Sequence, residues 1–428
     1  MSIAAKLNAR IRHLVFGSST LILLDQVIAS GTNFATTIIL GRFGGAESLG
    51  VYALVFSISV LILTIQESLI SLPYTIQCRQ LSSAKRHRYL GSSLIQACLL
   101  ASVVSPLLLI FGVMTGWLTE ESALARAICA FALVAPMAMM RDIARRVSIA
   151  HLRPRGALAV DIAVSVTQIS LLSSLAFSSR LNAASAWLVI GFACLLGSAG
   201  WFVATRKKFV LTMRRWRSDM LRNWRLGHWV LSSQVCSVLN GFAAAWLITL
   251  LMGSAAAGIF VGCTAIVLLS NPFILGMHNL LCPRIAAAYT EKGVEALRRV
   301  VLDTTFFLAA SLSLFCAVVY MFGGPLTTFI YGESYQGYET TTFVMALAVL
   351  ASGTGMSCDH ALWVIHRPKV SFLTGLLGLS VTVLVTLVAI PALGVLGGSL
   401  GLLCGNAVSS ATRIFVLARM GQLARSVQ

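Results

Sequence analysis

Four carboxylates fall inside stretches of sequence that are otherwise apolar: Asp25, Glu67, Asp161 and Asp359. Each has polar company. Gln26 adjoins Asp25, with Asn33 two turns on; Gln66 and Ser68 flank Glu67; Gln168 lies two turns from Asp161; His360 follows Asp359. Near the centre of a membrane-spanning helix an acidic side chain costs about 2.5–3.5 kcal/mol on insertion scales, so such a group faces a partner or a watery interior. Two chemistries suit it. A carboxylate whose surroundings alternate can take up and release H+ or Na+. It can equally form a fixed hydrogen bond or ion pair that holds helices together.

Four arginines at the ends of apolar runs are candidates for binding an anionic head group: Arg42, Arg141, Arg145 and Arg284. Arg141 and Arg145 are four residues apart and share a helix face. Two guanidinium groups so placed can grip a phosphate; they also read as ordinary anchors of a cytoplasmic helix end. No Lys or Arg falls at the middle of an apolar run, which sits uneasily with an anionic substrate and suits a cationic one.

The elements that must position these groups are spanning helices. A helix needs roughly 20 mostly apolar residues to cross the hydrocarbon core. Twelve such runs are expected, at 17–40, 49–72, 91–114, 123–144, 156–177, 185–204, 229–252, 256–281, 301–322, 340–363, 370–390 and 395–418. The chain is 57% hydrophobic and 11% charged over 428 residues, too little charge to cover a soluble surface, so no separate soluble domain is expected. With the N-terminus inside, 29 of the 32 Lys and Arg residues fall in inner segments, and only Arg42, Arg126 and Arg180 fall outside. Cytoplasmic loops retain Lys and Arg, so the expected topology is N-in and C-in. The net charge of +18 is thereby a topology signal, and no nucleic-acid module accompanies it. Lys6, Arg10 and Arg12 before the first run resemble a signal peptide, but the run resumes past Asp25-Gln26 and reads as an uncleaved first span.

Two stretches repeat. Gly45-Ala-Glu-Ser-Leu-Gly50-Val-Tyr52 precedes span 2, and Gly253-Ser-Ala-Ala-Ala-Gly258-Ile-Phe260 precedes span 8, at an offset of 208. Pro73 and Pro283 follow at a similar offset of 210. Copies separated by six spans start on the same side, which implies two parallel six-helix halves. The expected division is an N-terminal bundle at 1–204, a basic amphipathic linker at 205–228 and a C-terminal bundle at 229–428. In the linker, eight basic residues between Arg206 and Arg225 accompany Phe209, Met213, Trp216, Met220 and Trp224 at helical spacing. That pattern predicts a helix lying on the anionic cytoplasmic leaflet, gathering head groups or simply fixing topology.

Several of these segments resemble a known family. Leu40-Gly-Arg-Phe-Gly-Gly-Ala-Glu-Ser-Leu-Gly-Val-Tyr-Ala-Leu54 is similar to the first-loop signature of polysaccharide flippases of the Wzx type, which share a superfamily with the MATE drug exporters. Leu281-Cys-Pro-Arg284 with Gly293-Val-Glu-Ala-Leu-Arg-Arg299 resembles that family's eighth-span exit. Tyr331-Gly-Glu-Ser-Tyr335, Ile365-His-Arg-Pro-Lys369 and the glycine-rich stretch from Pro391 to Gly401 resemble its loops around spans 10 to 12. The resemblance implies an all-α integral membrane fold of about twelve helices in a V-shaped pair of bundles with a central cavity. It also implies alternating access and movement of lipid-linked oligosaccharide across the inner (plasma) membrane for surface polysaccharide synthesis. Its partners would be that substrate, membrane lipids, H+ or Na+, and contacts with the polysaccharide polymerase or glycosyltransferases. Helices 1, 2 and 7 line the family's cavity, which favours Asp25 and Glu67 as coupling residues. A cation-coupled MATE-type exporter is the alternative.

Other chemistry finds no support. No Gly-rich loop precedes Lys-Ser or Lys-Thr, and no nucleophile elbow is present, so an enzyme or an ATP site is not expected. His278, His360 and His366 are isolated, and the ten cysteines are scattered singly. No metal, cofactor or disulfide framework is expected.

Overall fold

The structure, a computed structural model, describes residues 18–78, 81–118, 122–151, 154–206, 210, 216–365 and 367–425. Among them there are only helices and short connections. In chain order these are α1 (Ser18–Phe43), α2 (Gly45–Gln66), a π-turn (Glu67–Ser71), α3 (Leu72–Gln77), α4 (Ser83–Leu118), α5 (Ser122–Ala150), α6 (Pro154–Phe177) and α7 (Ala183–Thr205). Then follow α8 (Trp216–Met252), α9 (Ser254–Val267), α10 (Asn271–Tyr331), α11 (Glu339–Val364), α12 (Pro368–Leu393) and α13 (Val395–Arg425).

Eleven of these helical stretches are long and apolar enough to cross a membrane. They coincide with the second to twelfth expected spans. The edges differ most at the ninth, expected at 301–322 and observed as Gly293–Tyr331. Gly293, at φ 74°, breaks α10 and lets the span begin there. The remaining expected span, 17–40, is α1. It is a helix of 26 residues, about 39 Å at 1.5 Å per residue, but Asp25, Gln26, Thr32, Asn33 and Thr36 dilute its apolar character. The chain is a multi-pass, all-helical membrane protein.

By contact the chain divides into two compact units, 1–39 with 58–231, and 40–57 with 232–428. The first holds most of α1, the end of α2 through α7, and the start of α8. Its core is built on α5, whose Ala127, Ile128, Ala132 and Ala135 are fully enclosed. Small residues let neighbouring helices approach closely, which is how spanning helices gain dispersion energy where lipid supplies no hydrophobic drive. Gly191 of α7, for example, sits where an added methyl group would strike Val134 of α5.

The second unit holds both copies of the repeat, and they pack on each other. Gly45 and Gly253 have φ of +79° and +88°, a conformation glycine adopts without steric cost, and each ends one helix and starts the next. One turn further, a Cβ on Gly50 would collide with the carbonyl oxygen of Ser254, and one on Gly258 with that of Ala46. Ala46 and Ser254 are themselves equivalent at the offset of 208. The contact is therefore reciprocal, as at a two-fold axis between identical elements. Beside it, Trp246 Nε1 donates to Ser57 Oγ at 2.8 Å.

The expected linker is described from Trp216 onward, with 207–209 and 211–215 outside the described residues. From Trp216 it is not a separate helix. It forms the first turns of α8, continuous with the span that begins at Gly227.

Candidate ion-pair site in the first unit

α5 carries Arg141, Asp142, Arg145 and Arg146 within two turns. Residues four apart face alike, so 141 and 145 form one row and 142 and 146 the next. The first row meets two helices. Arg141 Nη2 lies 2.8 Å from Asp161 Oδ1 of α6. Arg145 Nε lies 3.0 Å from the other oxygen of Asp161, while its Nη2 lies 2.8 Å from Asp25 Oδ2 of α1. Arg145 also donates to Gln26 Oε1 at 3.3 Å. In the second row Arg146 Nε is 2.9 Å from Asp142, and its Nη1 pairs with Glu67 at the start of the π-turn. Gln66 Nε2 holds the second row, donating to Asp142 at 3.1 Å and to the Met139 carbonyl at 3.0 Å.

The local sequence explains why these groups arrive together. α1 and α6 meet along a polar seam in which Thr32 donates to Ser165 at 2.6 Å and Gln168 donates to Thr36 at 2.8 Å. Asp25 and Asp161 extend that seam by one or two turns each. Asn33, expected beside Asp25, is exposed instead. The π-turn has its own cause. Pro73 has no N–H, so the carbonyls one turn before it lose a donor, and Leu72 N–H bonds Glu67 O, five residues back. The wider turn leaves Glu67 directed at Arg146. The Ser68 carbonyl packs against Gly227 of α8, where any Cβ would collide with it.

Burial grades across the cluster. The side chains of Asp161 and Asp25 are 0% and 1% exposed, whereas Arg141, Arg145 and Arg146 are 26, 22 and 29% exposed and Glu67 39%. Removing an ion from water costs several kcal/mol, and here each enclosed carboxylate recovers this through a guanidinium held by further hydrogen bonds. Four carboxylates face three arginines. The innermost layer is acidic, and the accessible edge presents guanidinium groups and Glu67.

Of the expected site residues, the structure thus brings together Asp25, Glu67, Asp161, Arg141 and Arg145. It adds Asp142 and Arg146, which sequence reading left out. Their i,i+4 spacing was the available signal. The others lie in the second unit. Arg42 is exposed and donates to the Phe329 carbonyl at 3.4 Å; Arg284 is exposed. Asp359 of α11 accepts from Ser371 of α12 at 2.5 Å and pairs with Arg413 of α13 at 3.3 Å. Nearby spans hold a neutral network: Asn240 donates to Asn406 at 3.0 Å and accepts from Thr382 at 2.7 Å, and Asn406 donates to the Ala348 carbonyl at 3.1 Å.

Neither a family model nor a curated protein matches the sequence. Solved structures do match the fold. A multidrug resistance MATE family transporter of the MOP superfamily, in an inward-facing conformation, aligns with TM-score 0.77 at 18% identity over 94% of this chain and 96% of that one. An outward-facing conformation of a MATE family transporter aligns with TM-score 0.68 at 15% identity, covering 95% of both chains. A MOP superfamily transporter from Pyrococcus furiosus, described as having a binding pocket of reverse polarity that suggests a different function, aligns with TM-score 0.69 at 15% identity, covering 94% of both chains. The chain has the fold of these transporters.

Proposed function

We propose that this chain is a transporter of the inner (plasma) membrane that works by alternating access and carries a lipid-linked oligosaccharide, a sugar chain on a polyprenyl pyrophosphate. The observation that carries the substrate is the polarity of the charged cluster. Asp25 and Asp161 are innermost, and the accessible edge presents three guanidinium groups beside Glu67, so an approaching head group meets arginines of which Arg141 and Arg145 are already oriented by enclosed carboxylates. Guanidinium forks match phosphate oxygens in a bidentate way, and prior orientation reduces the entropy lost on binding. Arg141, Arg145 and Arg146 are then the first head-group contacts, with Arg42 and Arg284 as outlying ones. The same route would place the chain beside the glycosyltransferases and polymerase that make and use such a substrate.

The test is reconstitution of the full chain in vesicles containing a fluorescent polyprenyl-pyrophosphate saccharide. Wild-type protein is expected to expose the label to the opposite leaflet, and Arg141→Gln to slow this roughly tenfold for one lost charge-assisted contact. Arg141→Lys keeps the charge but loses the fork and is expected to fall between. Wild-type vesicles that move no such lipid would sink the reading.

A second reading, export of an amphipathic cation, is favoured by one observation. The cluster has one more carboxylate than arginine, and Asp25 Oδ1 is buried with no hydrogen-bond partner among the described residues. In either case Asp25 and Glu67 are the proposed sites of H+ or Na+ coupling. Asp25→Asn and Glu67→Gln are expected to lower gradient-driven transport while protein level in the membrane holds. Full transport by both variants would remove the coupling role. Extrusion of a cationic dye down an imposed H+ or Na+ gradient, without movement of the pyrophosphate lipid, would select the exporter.

A further inference from the structure

The start of α8 has two sharply different faces. Asp219, Asn223 and Gly227 follow one another at four-residue spacing and turn toward the rest of the first unit. Asn223 is buried, accepts from the Tyr89 hydroxyl at 2.7 Å and donates to Gln96 at 3.1 Å. Gly227 lies on the Ser68 carbonyl of the π-turn. Arg222 sits over the Tyr89 ring at 5.2 Å. The opposite face is exposed and carries Arg217, Leu221, Trp224 and Arg225, with Met220 alongside and Trp229 next on the same helix. Arg217 in turn lies over the Trp216 ring at 5.5 Å.

This face fits one surroundings well. It precedes a span directly, so its residues stand where that span leaves the hydrocarbon. Tryptophans are favoured at this level because the ring is apolar and the N–H polar. Arginines there have phosphate oxygens as neighbours. Between residues 206 and 225 the chain has eight basic residues and one acid, Asp219, and Asp219 is turned inward, 3.9 Å from Arg222. The exposed face is thus cationic throughout, while its apolar side chains suit acyl chains and not bulk water. We infer that the N-terminal turns of α8 form a binding site for anionic phospholipid, with Arg217 and Arg225 on the head-group phosphate and Leu221 and Trp224 against the glycerol and upper acyl region. The site is separate from the ion-pair cluster and does not depend on which substrate is carried. Asn223 and Gly227 clamp it to the bundle, so that bound lipid bears on the π-turn that presents Glu67.

The proposal is tested by native mass spectrometry of the full chain, released from micelles containing equal phosphatidylglycerol and phosphatidylcholine. Wild-type protein is expected to retain phosphatidylglycerol preferentially. Each basic residue near an anionic surface contributes about five-fold, so Arg217→Gln with Arg225→Gln should weaken retention about 25-fold. Neither residue packs in the bundle, so folding should be kept. Arg217→Lys with Arg225→Lys, which keeps the charge, should restore most of it. Raising the ionic strength toward 1 M, where screening acts over about 3 Å, should abolish the preference in wild type. Equal retention of the two lipids by wild type, or an unchanged preference in the glutamine variant, would overturn the site. A preference insensitive to salt would do so as well, and that measurement needs no variant.

Discussion

In the first unit, seven ionised side chains from α1, α5, α6 and the π-turn form two adjacent ion-pair groups on successive rows of α5. In the second, spans of similar length and apolarity hold, among the described residues, one ion pair, Asp359 with Arg413, and a neutral network around Asn240 and Asn406. Yet the glycine motif is used identically in both of its copies, which meet in a reciprocal contact. The two glycine segments thus share their packing, whereas the polar positions of the two units carry different chemistry. Backbone approach at Gly50 and Gly258 depends on the absence of a Cβ and tolerates little. A polar position in a span tolerates any group that finds a partner.

The difference can be broken experimentally, beginning where the effect should be largest. Arg145 is the partner of two enclosed carboxylates, so Arg145→Gln is expected to lower stability by about 3–5 kcal/mol in denaturant unfolding of the solubilised protein. A loss below about 1 kcal/mol would mean the cluster is not held as an ion-pair network. Next, Gly50→Ala and Gly258→Ala should each cost about 1–3 kcal/mol through backbone displacement. Their costs should match, because each methyl group meets the equivalent carbonyl, and a large cost at one with none at the other would contradict the reciprocity. In the second unit, Asp359→Asn should cost about 1–2 kcal/mol, since its pair is partly accessible and Ser371 still bonds the amide. Asn406→Ala should cost about 0.6–1.7 kcal/mol, the range for polar contacts between spanning helices. The smallest effect is expected at Glu67→Gln. Its carboxylate is the most accessible of the cluster, so its pair with Arg146 should contribute under about 1 kcal/mol. Thermal unfolding of Glu67→Gln beside Asp161→Asn would show whether burial, and not formal charge, sets the rank.

Much of the fold was legible in the sequence for a simple reason. Backbone groups in hydrocarbon must be satisfied within their own segment, so an apolar run of the right length has one outcome. The spans at 156–177 and 185–204 were read to within a few residues of the observed helices Pro154–Phe177 and Ala183–Thr205. α1 was harder, because the polar seam that makes it useful to α6 also lowers its hydropathy. The linker's basic and aromatic residues predict a helix on the membrane surface; from Trp216 they form the first turns of α8, continuous with the span that begins at Gly227, and Asn223 and Gly227 find partners in the rest of the first unit. At the site, the spacing of Arg141 and Arg145 was readable, whereas the roles of Asp142 and Arg146 depend on Glu67 and Gln66 arriving from another helix.

What the sequence by itself determined is therefore the class of protein, the approximate position of its spans, and the residue types available for chemistry. Hydropathy and helical spacing act over a few turns and are complete within one segment. Only the tertiary structure decided which arginine answers which carboxylate. Asp25 and Asp161 lie 136 positions apart, and nothing local to either says that both will close on Arg145. That pairing follows from how α1, α5 and α6 pack, and it turned isolated membrane carboxylates into one network with an acidic interior and an accessible guanidinium edge.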